Sequence, residues 1–200
     1  MEFEKVLTHR VSTRKYNDKM PDDESIQKII DSALLAPIVH WHKLHLSVVT
    51  NQDAMKLADD AAAEIFAAPD TPVKMPRPYL YNAPVWIILS GKIYNENENP
   101  QAHLMNINLF WNVGSIIENM ELQATNLGLA SCGINTTVVA MRNRPDVRKA
   151  LGIPDGYDAL ASVIVGYSDS PLPERKVKPE FIPVSYDKVN FYHGFQKQAI

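Results

Sequence analysis

Arg10, Ser12 and Arg14 alternate in the segment R-V-S-T-R-K-Y, residues 10–16. In extended backbone that spacing points all three side chains to one side. Two planar guanidinium forks flanking a hydroxyl suit a single phosphate. A solvated basic turn paired with nearby Asp or Glu is the bland alternative, and composition alone leans toward it. A second basic run, Arg175-Lys176-Val177-Lys178, stands near the other end of the chain. Lys176 and Lys178 can close over the same phosphate, although so short a run is more often solvated. A third stretch, Gly128-Leu129-Ala130-Ser131-Cys132-Gly133-Ile134-Asn135-Thr136, follows a long helical pattern. Its backbone amides can meet the edge of a flat heterocycle. A helix stop followed by a short strand is the plainer reading, and the stretch matches neither a dinucleotide fingerprint nor a P-loop.

Other chemistry-bearing residues carry less. His40, His42 and His45 lack the spacing of a zinc motif, and no cysteine pair joins them. Cys132 stands alone and reads as a small buried filler before it reads as a redox thiol. Glu118 and Glu121 share the long helix as capping, pairing or solvent-facing groups, not as a glycosidase pair. Ser131 has no G-x-S-x-G context.

The elements that would position these residues follow from periodicity. Phe3 to Thr8 suits a short opening helix. Asp22 and Asp23 after Pro21 offer a helix start, and Ile26, Ile29, Ile30, Ala33 and Leu34 recur at helical spacing. Leu44 to Val49 predicts a strand. Asn51 can cap a helix running from Gln52 to about Ala68. Pro69 to Pro78 reads as a loop, either a lid or a plain connector. Val85 to Leu89 is continuously apolar and predicts a central strand. Ala102 to Leu127 gives the strongest helical pattern, stopped by Gly128 and apolar around enough of its circumference to predict burial, including at a subunit interface. A shorter helix starts near Pro145 and runs to Leu151, and Ala159 to Val165 predicts another buried strand. Residues 167–200 carry few regular signals, yet Phe181, Ile182, Phe191, Tyr192 and Phe195 suit a tail packed on the body or on a partner. No repeat or linker divides the chain, so 1–200 reads as one domain of α+β or α/β class.

Bulk properties bound the partners. The 200 residues are 46% hydrophobic and 22% charged, with 20 Lys and Arg against 23 Asp and Glu. That balance gives no general attraction for nucleic acid. One cysteine excludes an internal disulfide and points to a reducing compartment. The N-terminus lacks an apolar signal core, and the apolar runs are too short for a bilayer span. The expectation is a cytoplasmic protein with no membrane insertion.

The order of the motifs is more informative than any one of them. R-x-S-x-R-x-Y is followed by a helix ending A-L-L-A-P, then N-A-P-V before a strand. Next come I-I-E-N-M-E-L-Q-A-T-N-L-G-L-A-S-C and finally I-V-G-Y with a basic pair. This series resembles the flavin mononucleotide (FMN)-dependent nitroreductase family over roughly residues 5–180. The resemblance implies an α+β nitroreductase-like fold, a mostly antiparallel central sheet flanked by helices, and an intertwined homodimer with FMN at its interface. It implies ping-pong transfer of electrons from NAD(P)H to a small flat acceptor such as a nitroaromatic or quinone, with no catalytic side chain. An FMN-binding protein without turnover and a specialised flavin dehydrogenase or dehalogenase are the alternatives. By motif, Arg10, Val11, Ser12 and Arg14 fall on the flavin-binding first segment. Gly133, Ile134, Asn135 and Thr136 fall on the loop near flavin N5, and Lys176 and Lys178 on the closing basic pair. The family's S-S-x-N-x-Q-P-W after A-P is replaced here by Ile38-Val39-His40-Trp41-His42-Lys43-Leu44-His45. Backbone contacts at Pro37, Ile38 and Val39 survive that change, the usual side-chain contacts do not, and Trp41 and His40 become the substrate-facing candidates.

Overall fold

The computed structural model describes residues 1–39, 43–66, 75–178 and 182. His40, Trp41 and His42 lie outside the described residues, as do Phe181, Phe191, Tyr192 and Phe195 of the tail and most of the proline-rich loop.

Local signals set the helices. In α1 (Phe3–His9) only Val6 is buried. In α2 (Asp23–Leu34) the side chain of Asp22 accepts from the Ser25 N–H, satisfying one orphan donor of the first turn. Asn51 does the same for Ala54 at the start of α3 (Gln52–Phe66). The longest helix, α4 (Ala102–Asn126), ends where Gly128 takes φ +75°, and Leu129 N–H reaches back to the Ala124 carbonyl. Two short helices follow, α5 (Thr136–Met141) and α6 (Pro145–Ala150), the second with proline at its start.

Four strands form one antiparallel sheet in the order β1-β2-β4-β3, where β1 is Leu44–Val49, β2 Val85–Gly91, β3 Ala130–Gly133 and β4 Asp158–Gly166. Every residue of β2 is buried, because helices cover both faces of the sheet. Trp86, Ile88 and Ile164 point into a core shared with α3, α5 and α6. Val85, Ile87, Leu89, Val163 and Val165 point the other way, onto Ile29 and Ala33 of α2 and Val113, Ile116, Met120 and Ala124 of α4. The continuous apolar run that marks β2 in sequence is therefore two alternating faces, each filling its own core.

Two elements differ from what their sequence pattern alone suggests. The long helix is not buried around its circumference: Leu104, Ile107, Phe110 and Trp111 are exposed, Trp111 by 73%. Its second apolar face has no cover among the described residues. Residues 136–141, which periodicity assigns to no element, form α5. Its Thr-Thr-Val-Val start is rich in β-branched residues that disfavour helix, and the burial of Thr137, Val138, Ala140 and Met141 outweighs that preference. Among the described residues no helix is long and apolar enough to cross a membrane.

A charged clamp fixes the segment that leads into β2. Asp59, buried on α3, accepts from Arg77 Nε at 3.0 Å and Nη2 at 2.7 Å, and from the Tyr79 N–H at 2.6 Å. Replacing Asp59 with alanine orphans the buried Tyr79 amide and removes the guanidinium's inner partner. Urea denaturation of Asp59→Ala should show a loss of about 2–4 kcal/mol. A loss below about 1 kcal/mol would mean that the segment is held by its apolar contacts alone.

Candidate functional site

Two stretches distant in sequence meet at the β3 edge of the sheet. Residues 11–17 run beside β3. Ser12 makes an isolated parallel bridge with Ser131, Thr13 N–H donates to the Ser131 carbonyl at 2.8 Å, and Asn17 N–H donates to the Tyr167 carbonyl at 2.9 Å. This docking makes the segment extended, so alternate side chains share a side. Arg10, Ser12 and Arg14 all act on Cys132, and Tyr16 faces Cys132, Glu121 and Arg14. Gly166 permits the approach. A Cβ there would lie 2.6 Å from Pro84 Cδ and 3.0 Å from Tyr16 Cδ1.

The second stretch is the chain after β4, which returns past the end of α1. Arg175 N–H donates to the Thr8 carbonyl at 2.7 Å, and Asn17 Nδ2 donates to Asp169 Oδ1 at 2.7 Å. Basic residues from both termini thus share one corner, with Lys176 and Lys178 exposed beside it in sequence. Between the two stretches opens a cavity of about 420 Å³, lined by Ser12, Arg14, Lys15, Ser168 and Ser170 among others.

Arg10 turns inward from this cavity toward α4. Its Nε lies 3.4 Å from Glu118 Oε1 and its Nη1 3.8 Å from Glu121 Oε2. These distances pair the charges without an aligned hydrogen bond, and Arg10 Nε and Glu121 Oε1 are both buried without a hydrogen-bond partner. Burial pushes the Glu121 carboxyl above its ordinary range. Arg10 opposes that shift, Glu118 adds to it, and the Gly133 N–H and Arg175 also oppose it. Burial likewise raises the Tyr16 phenol and the Cys132 thiol, so both stay protonated at neutral pH.

The remaining predicted site residues are placed in two groups. Gly133 ends β3 and Asn135 precedes α5, both exposed, and Thr136 Oγ1 lies 3.4 Å from Met75 Sδ. Ile134 is buried. Its N–H donates to the Ser162 carbonyl at 2.8 Å and its carbonyl accepts from Ser162 Oγ at 2.5 Å, so its backbone is engaged inside the chain. Val11 lines the cavity. Pro37, Ile38 and Val39 do not. They follow α2 along the middle of α4, where Val39 N–H donates to Asn112 Oδ1 at 3.1 Å. Asn112 Nδ2 is buried without a partner, whereas Asn106 both accepts from and donates to the Tyr94 backbone. The structure therefore gathers the residues 10–14 and 175 in one chain and leaves Pro37–Val39 apart from them. Tyr16 and Glu121 are members of this corner that motif reading did not assign. The period of two would have found Tyr16; Glu121 needed the register of α4 against β3.

The Nitroreductase family matches residues 7–167. Among solved structures, a nitroreductase with bound FMN from Bacteroides fragilis NCTC 9343 is 25% identical, with a TM-score of 0.73 over 93% of this chain and 100% of that one. A nitroreductase with bound FMN from Desulfitobacterium hafniense DCB-2 is also 25% identical, with a TM-score of 0.76 over 94% and 99%. A BluB-like flavoprotein from Clostridium difficile 630, 23% identical, has the same fold, with a TM-score of 0.74 over 94% and 100%. No curated protein matches the sequence.

The burial of Cys132 gives a direct check on this corner. Its side chain is sealed and its thiol is held protonated. In the folded protein at pH 8, less than about a tenth of the thiol should react with a maleimide in an hour, and all of it in guanidinium. Stoichiometric labelling of the folded protein would mean that the 10–17 segment lifts off β3.

Proposed function

Because this chain belongs to the nitroreductase family, we propose that it is an FMN-dependent oxidoreductase of the cytoplasm. In this reading it passes electrons from NAD(P)H to a small flat acceptor such as a nitroaromatic or quinone. The observation that carries the proposal is the meeting of Arg10, Ser12, Arg14 and Arg175 at one corner beside a cavity large enough for part of a flavin. The bound FMN of the two structures at 25% identity supports it.

The donor set fits the group. Ser12, Arg14 and Lys15 line the cavity, Arg10 carries an unpartnered buried Nε–H, and Ser131 Oγ is a further buried polar atom without a partner. A phosphate has use for all of these donors. Ser12, Arg10 and Arg14, closed over by Lys176 and Lys178, would hold it. Val11, the exposed Gly133 and Asn135, and the half-buried Thr136 would meet the ring, with Ile134 packing behind them. When bound, FMN supplies the two-electron chemistry, which the protein positions and tunes. Arg14 contributes a fixed cation that lowers the cost of added negative charge in the site. No side-chain nucleophile is needed.

The site is completed by a second copy of the chain. Pro37, Ile38 and Val39 stand away from the cavity of their own chain, beside the exposed Trp111 face of α4. Pairing that face with its copy buries Leu104, Ile107, Phe110 and Trp111 and carries residues 37–39 to the other subunit's cavity. His40 and Trp41 follow directly in sequence and are the proposed substrate contacts.

Purified protein should be yellow, with one FMN per subunit. Protein that stays colourless and takes up no added FMN sinks the proposal. Arg14→Ala should weaken FMN binding by roughly 10- to 100-fold, the loss of a charge-assisted contact of about 1–3 kcal/mol. Mixing with NADH or NADPH should bleach the flavin within seconds. Tight FMN with no bleaching by either would assign a flavin-binding protein without turnover. Trp111→Glu should halve the mass seen by analytical ultracentrifugation, and an unchanged mass would place the interface elsewhere.

A further inference from the structure

Glu121 has an unusual position for an acidic group. It is buried, it lies on the inner face of α4, and it stands next to the arginine that is proposed to take a phosphate. We infer that Glu121 is the internal competitor of a bound phosphate: its carboxylate and the ligand's phosphate claim the same Arg10 guanidinium, and neutralising Glu121 tightens anion binding at that corner. The inference rests on the FMN reading above and assigns it a built-in control of affinity.

The geometry of the pair is the first support. An arginine committed to a carboxylate makes two parallel bonds near 2.7–2.9 Å. Arg10 instead meets two carboxylates at 3.4 and 3.8 Å, with its Nε–H unpaired and Glu121 Oε1 unpaired. Half-satisfied buried charges of opposite sign are poised for a third group. A phosphate oxygen can take the free Nε–H, and a proton can take the free Oε1.

Charge balance is the second support. Glu121 is faced by Arg10 from the end of α1, by Glu118 from one turn earlier on α4, and by Arg175 from the segment after β4. Tyr16 faces it from the 11–17 segment, and Cys132 and the Gly133 N–H from β3. Tyr16 and Cys132 are neutral, so two cations stand against two carboxylates. A phosphate dianion at Arg10 leaves this set over-charged by its full negative charge, and Glu118, half-exposed, is screened where Glu121 is not. The carboxyl that relieves the excess is the one that burial already biases toward its neutral form. The sign follows. Wild-type affinity falls as pH rises through the Glu121 titration, and a variant neutral at every pH does not share that fall. The phosphate's own second ionisation, near pH 6, is common to both proteins and cancels in their ratio.

The test titrates full-length protein, stripped of flavin, with FMN and with riboflavin, following flavin fluorescence at pH 5 and pH 8. Glu121→Gln should bind FMN roughly three- to tenfold tighter than wild type at pH 8, with the ratio falling toward one at pH 5. Riboflavin, which has no phosphate, should bind both proteins equally. In an Arg10→Ala background the substitution should change nothing. Equal or weaker FMN binding by Glu121→Gln at pH 8, or an equal gain for riboflavin, overturns the inference while leaving the flavin reading intact. Wild-type protein that binds neither flavin overturns both. Should Glu121→Gln lose its native thermal transition, Glu118→Gln takes its place. It touches the same guanidinium from the exposed side and must give a smaller gain in the same direction; none would overturn the inference.

Discussion

Burial of β2 on both faces is the constraint from which the rest of the molecule follows. A strand with no solvent side needs a layer of helices above and below it, and needs strands on both edges to take its backbone groups. Here β1 and β4 take the edges, α2 and α4 cover one face, and α3, α5 and α6 cover the other. The outer strand β3 is short, and its free side offers unpaired backbone groups. The 11–17 segment fills part of that side, which gives its side chains the alternation that gathers Arg10, Ser12, Arg14 and Tyr16.

The corner so formed is electrostatically mixed, not simply basic. Its outer part, around Arg14, Lys15 and the serines, is open to solvent and to ligands. Its inner part stacks Arg10 against Glu118 and Glu121 in a region that also holds the protonated Tyr16 and Cys132. A site divided in this way can separate attraction from discrimination. In the proposed reading the outer cations would draw an anion in, and the inner pair would set how firmly it is kept.

Much of this was legible in the sequence, for stated physical reasons. Asp22 and Asn51 cap where their short oxygen-bearing side chains predict, Gly128 stops α4, and the two strongest apolar runs are the two central strands. The shared side of Ser12, Arg14 and Tyr16 could be read from spacing because extended backbone has a period of two. What stayed hidden depended on tertiary context. Thr136–Met141 is helical against its propensity because four of its residues are buried. The apolar circumference of α4 suggested burial, but the described residues cover only one face of it, and the Trp111 face stays open. Arg10 was read as pointing to a ligand, and its carboxylate partners could not be read from spacing, since Glu118 and Glu121 reach it only through the packing of α4 behind β3.

The docking of residues 11–17 also orders events in time. These residues are made before the groups that hold them, the carbonyl of Ser131 in β3 and that of Tyr167 just after β4. The long-range pairing must wait until Tyr167 has been made, and closure of so large a loop is entropically slow. A nascent or truncated chain ending before Tyr167 lacks one of the two anchors of its own N-terminal arm. Completion of this edge of the sheet thus becomes a late event of biosynthesis, reached only once the 11–17 segment has met the end of β4.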